Sequence, residues 1–239
     1  MIKKFITLFK LGRKIASSDI LEIISKFQKP PLAITLLFKF LAISFSPKKK
    51  GLIKSEGKRL SDSLESMGTT FIKLGQFLAT RPDIIGESLS KQLENLQDKL
   101  PPFPLIQAQE IIKNDLGQET YNSIINLSEP VAAASIAQVH KAQINDNGTI
   151  KDVAIKILRP NIKKIFNDEI DAIMLFAFLV ESFIKKTKRL KLVEVVFLLK
   201  EITNLEMDLR FEAAAANEYA ENTKNDVGFR VPEIYWNFT

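Results

Sequence analysis

Apolar residues recur at three- and four-residue steps along much of the chain, a spacing that predicts amphipathic helices. Residues 52–78 show this spacing most clearly. Their apolar stripe consists of Leu60, Leu64, Met67, Phe71, Leu74 and Leu78. A second stripe consists of Leu89, Leu93, Leu96 and Leu100. It stops at Pro101-Pro102-Phe103-Pro104, because proline cannot continue a helix. The pattern therefore predicts a helical block before residue 105.

The pattern changes to that of β-strands near the middle of the chain. Residues 136–144 and 153–158 are strand-like, and Asn145-Asp146-Asn147-Gly148 between them is a strong hairpin signal. Helices are predicted on both sides of this hairpin: Leu105–Leu116, closed by Gly117, and then residues 165–184, 192–203 and 205–222. The last extended stretch, Arg230–Trp236, is interpreted as one more strand. The predicted fold class is α+β, an antiparallel sheet with inserted helices.

Charge and hydrophobicity divide the chain into three predicted regions: a basic, partly apolar arm (1–54), a helical extension (55–120) and a sheet-containing lobe (121–239). Residues 1–59 carry 14 Lys and Arg against three acidic residues, whereas the remainder carries 20 basic and 25 acidic residues. The net charge of +6 therefore reflects the arm. Because the arm also contains the apolar run Leu32–Phe45, it favours an anionic membrane surface over nucleic acid as a partner.

Several classes of protein are disfavoured by what the sequence lacks. A membrane-spanning helix needs about 20 apolar residues, whereas Leu32–Phe45 is shorter and contains Lys39, and Ala172–Val180 is shorter still. No signal-peptide pattern is found at the amino terminus, so we expect a cytoplasmic protein, peripheral to the inner membrane. The chain has no cysteine and a single histidine, His140, which excludes disulfides and thiolate or histidine-cluster metal sites.

Lys156 is the first candidate functional residue. It ends Val153-Ala154-Ile155-Lys156, the spelling of the protein-kinase strand whose lysine reaches nucleotide phosphates. Upstream, the spacing of a kinase glycine-rich loop is occupied by Ala132, Ala134, Ala137 and Val139. The pattern therefore indicates a phosphate-handling loop and strand in which alanine replaces glycine.

A lysine that projects into a cleft needs a carboxylate partner, because an unpaired buried charge is costly. Glu212 and Asp208 lie one turn apart on the predicted helix 205–222, while Glu206 points about half a turn away. Glu212 precedes four alanines, which permit close approach of the helix to a neighbour. The alternative is a solvated acidic face at the start of a helix, where the helix dipole favours acidic residues.

Three motifs stand in a characteristic order. They are Lys73-Leu74-Gly75-Gln76, the alanine-rich stretch Ala132–His140, and Glu206-Met207-Asp208; the run Leu96–Pro104 accompanies them. Together they resemble the KxGQ motif, the Ala-rich loop and the ExD motif of the UbiB family. This family consists of atypical protein-kinase-like proteins linked to ubiquinone biosynthesis. The resemblance extends over residues 68–239.

The resemblance implies a kinase-like protein that uses ATP and magnesium. Its implied nucleotide-binding residues are Ala132, Ala133, Ala134, Ser135, Ala137, Val139, Lys156 and Glu212, with Glu212 as the partner of Lys156 on the C-helix. Its implied regulatory residues are Lys73, Gly75, Gln76, Glu206 and Asp208. In the family, the KxGQ helix covers the cleft, so Lys73 and Gln76 are expected to meet Glu206 and Asp208.

A kinase places its catalytic loop and its metal-binding aspartate in a C-terminal lobe, and neither motif follows Glu212. We therefore expect an incomplete kinase-like N-lobe, with no catalytic residue or metal ligand of its own. The expected function is that of the N-terminal portion of a UbiB-like kinase or ATPase of ubiquinone biosynthesis, inactive until a second polypeptide supplies the C-lobe. The alternatives are a peripheral membrane module that binds an anionic surface or a quinone-like lipid, and a degenerate gene remnant. Nucleic acid is disfavoured as a partner.

Overall fold

The computed structural model describes residues 9–10, 12–13, 56–94, 96, 100–146, 148–183 and 185–239. The predicted basic arm, 1–54, lies almost wholly outside the described residues. The chain forms two compact units. The first unit contains residues 1–98 and 164–201, and the second unit contains residues 99–163 and 202–239.

The first unit begins with the helices that carry the two predicted apolar stripes. These are α1 (Glu56–Met67), α2 (Thr69–Ala79), α3 (Pro82–Ile85) and α4 (Glu87–Leu93). Leu64, Met67 and Phe71 are buried, as the stripe predicts. The stripe is nevertheless divided between two helices, because Gly68 adopts a φ of +101°, outside the helical region. Gly86 precedes α4, and no side chain caps that helix.

Gly75 lies in α2 at a point of close approach. A Cβ atom at this position would lie 2.6 Å from Leu96 Cδ2 and 2.7 Å from Leu64 Cδ1. Both leucine side chains are buried, so neither can move away without disturbing its other contacts. Packing within the first unit therefore favours glycine at this helical position.

Two further helices complete the first unit: α6 (Ile162–Phe183), from residue 164 onwards, and α7 (Leu192–Glu206), up to residue 201. A short 3₁₀ helix, Lys185–Leu190, connects them. The Lys200 ammonium donates to Asp171 Oδ1 over 3.2 Å, and the backbone N–H of Val193 donates to Glu181 Oε1. These contacts hold α6 and α7 together as a helical hairpin.

The second unit is built on a sheet of four antiparallel strands. Helix α5 (Leu105–Asn122) precedes strands β1 (Ile124–Ile125), β2 (Pro130–Ala133), β3 (Ala137–Asp146) and β4 (Thr149–Leu158). Strand β3 is central: β1 and β2 pair with one edge of it, and β4 pairs with the other along its whole length. Helix α8 (Leu209–Thr223) also belongs to this unit.

One face of this sheet is covered by α5. Ala108 and Ile112 of the helix cluster with Ile157 of β4 and with Phe103, and Ile155 packs against the same cluster. Gly117 breaks the regular helical geometry inside α5, with a φ of +83°, where the sequence predicts the end of the first helical segment. The other face of the sheet carries the alternate residues of each strand.

The predicted fold class is confirmed: helices are combined with a small antiparallel sheet of four strands. The interpretation of Arg230–Trp236 as a strand is wrong. That stretch is irregular and leads into a 3₁₀ turn, Trp236–Phe238. Pro232 removes one backbone donor, and the stretch pairs with none of the described strands. No helix within the described ranges combines the length and the apolar character needed to cross a bilayer.

We predict that Gly75→Ala destabilises the protein by about 1 kcal/mol. Alanine gains about 0.8–1 kcal/mol of helix propensity over glycine, but overpacking a filled core costs about 1–3 kcal/mol. Urea denaturation measures the net change. In a Leu64→Ala background the added methyl meets less resistance, so the same substitution should cost less there. Equal costs in the two backgrounds would contradict the packing argument.

Candidate functional site

The site is built around Lys156 on the uncovered face of the sheet. Lys156 pairs directly with Val139 of β3, and Ala154 pairs with Lys141. Ile155 and Ile157 point towards α5, so the alternate residues Ala154 and Lys156 lie on the opposite face. The register thus places a lysine, a valine and a small alanine side by side on an accessible surface.

Lys156 makes the ion pair that the sequence predicts. Its ammonium nitrogen lies 2.8 Å from Glu212 Oε1 and 2.5 Å from Oε2. The two side chains are 39% and 59% exposed, so the pair lies at the surface of the second unit. Exposed pairs contribute only about 0.2–1 kcal/mol to stability. The chief consequence of the pair is therefore positional, because it brings the Glu212 carboxylate of α8 to the Lys156 ammonium of β4.

The alanine-rich stretch forms a closed turn between β2 and β3. Ala132 pairs with Val139, and Ala133 pairs with Gln138. The N–H of Ala134 donates to the carbonyl of Ala137 over 2.8 Å. At the tip of the turn, Ser135 is 0% exposed and Ile136 is 8% exposed. The turn thus lies at the Lys156 end of the sheet, with its tip packed inwards.

Two buried polar side chains, Gln138 and His140, support this turn, and the sequence analysis assigned neither of them a role. Gln138 accepts the N–H of Phe103 over 2.9 Å and donates to its carbonyl over 3.1 Å. The same amide nitrogen lies 2.9 Å from His140 Nε2, and His140 Nδ1 lies 2.7 Å from the carbonyl of Ser128. This arrangement fits the tautomer with its proton on Nδ1. Phe103 lies 35 residues before Gln138, and no sequence pattern marks this pairing.

Asp208 is placed differently from the prediction. Helix α8 begins at Leu209, and Asp208 is its N-cap, with its carboxylate accepting the N–H of Arg210 over 3.2 Å. Asp208 and Glu212 therefore do not share a face of one helix, and Glu206 is the last residue of the preceding helix α7. The reason is the preference of aspartate for the N-cap, where it satisfies an unpaired backbone donor.

Arg210 also binds Asp208 through its side chain. Its Nε lies 2.8 Å from Asp208 Oδ1, and its Nη2 lies 2.6 Å from Oδ2. This side-chain hydrogen bonding, opposed in part by desolvation and assisted by the backbone N–H, lowers the pKa of Asp208 from 3.8 to about 2. The carboxylate of the ExD-like motif is therefore held ionised at neutral pH.

The KxGQ-like residues Lys73, Gly75 and Gln76 lie on α2 in the first unit, with Lys73 and Gln76 half-buried. Their expected meeting with Glu206 and Asp208 stays a prediction. So do the nucleotide-binding roles assigned to the alanine-rich turn, Lys156 and Glu212.

The described residues also bear on the cofactors. Lys156 and the accessible face beside it fit a nucleotide with an anionic tail. Over the same residues, no three acidic or histidine side chains converge on a point where they could hold a cation. The described site therefore fits the nucleotide but supplies no magnesium cage.

The sequence is similar to known proteins over most of its length. Residues 95–239 match the ABC1 atypical kinase-like domain. A probable protein kinase UbiB from Marinobacter nauticus is 39% identical over 186 residues, which cover 77% of this chain and 34% of that protein. The probable protein kinase UbiB of Cellvibrio japonicus is 36% identical over 210 residues, 87% of this chain and 37% of the relative.

A third relative matches almost the whole chain. The probable protein kinase UbiB of Pseudomonas paraeruginosa is 32% identical over 235 residues, covering 98% of this chain and 43% of that protein. The chain therefore spans between about a third and just over two fifths of the length of these relatives. No solved structure matches it.

We predict that the Asp208 carboxyl titrates near pH 2 and that Arg210→Ala moves this midpoint up towards 3.8, because Arg210 is the main cause of the shift. A lowered folded-state pKa means that the cap stabilises the protein fully above pH 3.8 and loses this effect as the pH falls towards 2. Carbon-detected NMR titration of the carboxyl group measures the midpoint. The exposed Arg230→Ala serves as the control and should leave it unchanged. A wild-type midpoint near 3.8 would contradict the geometry.

Proposed function

Because this chain belongs to the family of ABC1 atypical kinase-like domains, we propose that its second unit is the nucleotide-binding lobe of a UbiB-like kinase or ATPase that acts in ubiquinone biosynthesis. The observation that carries this proposal is the ion pair between Lys156 and Glu212, 2.8 Å from Nζ to Oε1. In kinases the same kind of pair, from a strand lysine to a helix glutamate, sets the lysine at the nucleotide phosphates.

The surroundings of Lys156 support a nucleotide over other anions. Val139 lies directly opposite it in the sheet register, and Ala154 is exposed on the same face. A flat base can lie against a valine and a small alanine, while the lysine two positions along β4 meets negative charge. The turn 134–137 closes the end of the sheet beside this lysine.

Phosphoryl transfer needs more than this lobe. Divalent metal ions bridge the β- and γ-phosphates in such reactions, and the described residues supply no group of three ligands for one. The 239 residues also contain no Asp-Phe-Gly sequence. We therefore propose that this lobe binds and orients ATP, and that a catalytic lobe outside these 239 residues contributes the metal ligands and the catalytic loop.

A second candidate function is attachment to a membrane surface or a quinone-like lipid. Helix α6 exposes Leu175, Phe178 and Leu179 at three- and four-residue steps, and the exposed Lys188 and Arg189 follow in the connection to α7. Apolar side chains beside basic ones are typical of surfaces that dock on anionic bilayers. The basic arm would add to this attraction, at the cytoplasmic face of the inner membrane.

We predict that the 239-residue protein binds ATP weakly, with a Kd well above about 1 μM, equivalent to less than about 8 kcal/mol. Lys156→Met should abolish this binding and Glu212→Gln should weaken it, because each removes one partner of the pair that positions the ammonium group. Isothermal titration calorimetry with ATP, with and without magnesium, measures the affinity.

The matched control is Lys224→Met, which removes the exposed lysine directly after helix α8, with its Nζ 3.5 Å from Glu221 Oε2. It should bind ATP like the wild type. Unchanged binding by Lys156→Met, or the absence of binding by the wild type at millimolar ATP, would contradict the proposed function. A Kd at or below about 1 μM would show that the lobe needs no partner to hold the nucleotide.

For the membrane, we predict that the protein floats with anionic liposomes and that Lys188→Glu combined with Arg189→Glu weakens this binding by about thirtyfold, the equivalent of about 2 kcal/mol. Each basic residue near an anionic surface contributes about 1 kcal/mol. Phe178→Glu should weaken the salt-resistant part of the binding. The control Ile106→Glu alters an exposed apolar residue of the second unit and should have no effect. Equal flotation with neutral and anionic liposomes would refute the electrostatic part, and flotation with neither would refute the whole.

A further inference from the structure

Arg159, the residue after β4, holds the alanine-rich turn through both its backbone and its side chain. Its backbone N–H donates to the carbonyl of Ile136 over 2.8 Å. Its guanidinium donates twice to the carbonyl of Ala134, from Nε over 3.0 Å and from Nη2 over 2.8 Å. One side chain thus fixes the turn at a backbone oxygen beside its buried tip.

The same guanidinium reaches a second segment. Nη1 donates to the carbonyl of Pro101 over 2.9 Å, and Nη2 donates to the carbonyl of Leu100 over 3.2 Å. Arginine suits this bridge because its planar fork carries five donors in fixed directions, whereas lysine is a point charge on a flexible stem. Arg159 therefore ties the turn to the segment that precedes α5.

This tie keeps the turn closed. The Ala134 N–H is already bonded to the carbonyl of Ala137, the Ala134 carbonyl is bonded to Arg159, and Ser135 is 0% exposed. Backbone N–H groups of such a turn are the natural donors to a phosphate, but the Ala134 N–H is occupied here. A phosphate can take this N–H only after the turn opens, and opening breaks the contacts with Arg159.

We propose that Arg159 is a positioning residue that locks the turn 134–137 closed and thereby limits the affinity of the neighbouring site for nucleotide. The lock itself stands on the geometry, whereas its effect on affinity rests on the proposed function. A site that is competent only when open has an apparent affinity reduced by its open fraction. Removing the lock therefore tightens nucleotide binding.

Hydrogen exchange on the full 239-residue protein tests the lock. In Arg159→Ala, amides of residues 134–137 should exchange about tenfold faster, since hydrogen bonds from a charged donor are lost. Amides of residues 141–145 and 151–155, elsewhere in the same hairpin, should keep their protection. Arg159→Lys should give an intermediate exchange rate for these amides. If Arg159→Ala does not fold, Arg159→Lys takes its place in the test of the lock. Arg230→Ala, which removes an exposed arginine of the same unit, is the control for the loss of charge.

ATP titration of the same variants tests the effect on the site. Arg159→Ala should bind ATP about three- to tenfold more tightly than the wild type, a change that general destabilisation does not produce. Exchange that accelerates equally across the whole sheet, or not at all, would overturn the lock. A loosened turn with unchanged or weaker ATP binding would overturn its role in the site. If neither the wild type nor any variant binds ATP, the proposed function fails. The lock is then tested by the hydrogen-exchange pattern alone.

Discussion

The ladder between β3 and β4 is the constraint on which the site depends. It pairs ten residues of each strand in an unbroken antiparallel register, from Ala137 with Leu158 to Asp146 with Thr149. Because side chains alternate along a strand, this register decides which residues meet α5 and which remain accessible. A slip of one residue would turn Ile155 and Ile157 outwards and bury Lys156. The apolar cluster under α5 therefore fixes the position of the lysine on the opposite face.

Two kinds of polar contact lie beside this ladder, and they differ in how much they contribute to stability. The pair between Lys156 and Glu212 is exposed, so it adds at most about 1 kcal/mol to stability. Gln138 is 1% exposed, and leaving one of its partners at Phe103 unsatisfied would cost about 1–3 kcal/mol. Rigidity of the turn thus comes from buried bonds to backbone, while the ion pair can exchange its partner at small cost. The proposed role of Lys156 at a phosphate would benefit from that difference.

Local sequence signals were sufficient where a single period or turn decided the structure. The hairpin at Asn145–Gly148 was predictable for this reason, whereas the choice of Glu212 as the partner of Lys156, 56 residues away, came from the family resemblance. The break at Gly68 was hidden, because the apolar stripe continues across it and only the backbone dihedral reveals it. The sequence analysis placed Asp208 inside the helix that contains Glu212. The four-residue spacing between them fits a position within the helix and also the N-cap before it, and only the starting residue of α8 decides between the two.

The contacts that sequence analysis missed are long-range bonds to backbone atoms. Arg159 and Gln138 reach Pro101 and Phe103 through carbonyl and N–H groups that every residue carries. No pattern of side chains in the partner segment marks such contacts, so only the folded backbone shows them. The strand interpretation of Arg230–Trp236 failed for the converse reason. Its side-chain pattern suits a strand, but a strand exists only where a second backbone accepts its hydrogen bonds.

Strand β4 joins the accessible face to an accessible edge. Among the described strands it pairs with β3 alone, so the backbone groups along its other edge have no strand to bond to. Unpaired edges of this length attract further strands. Lys156 is on this same strand, so a strand added at that edge would also border the face on which the nucleotide is proposed to lie. Under the proposed function, a strand that pairs with this edge would therefore also add a wall to the proposed nucleotide site.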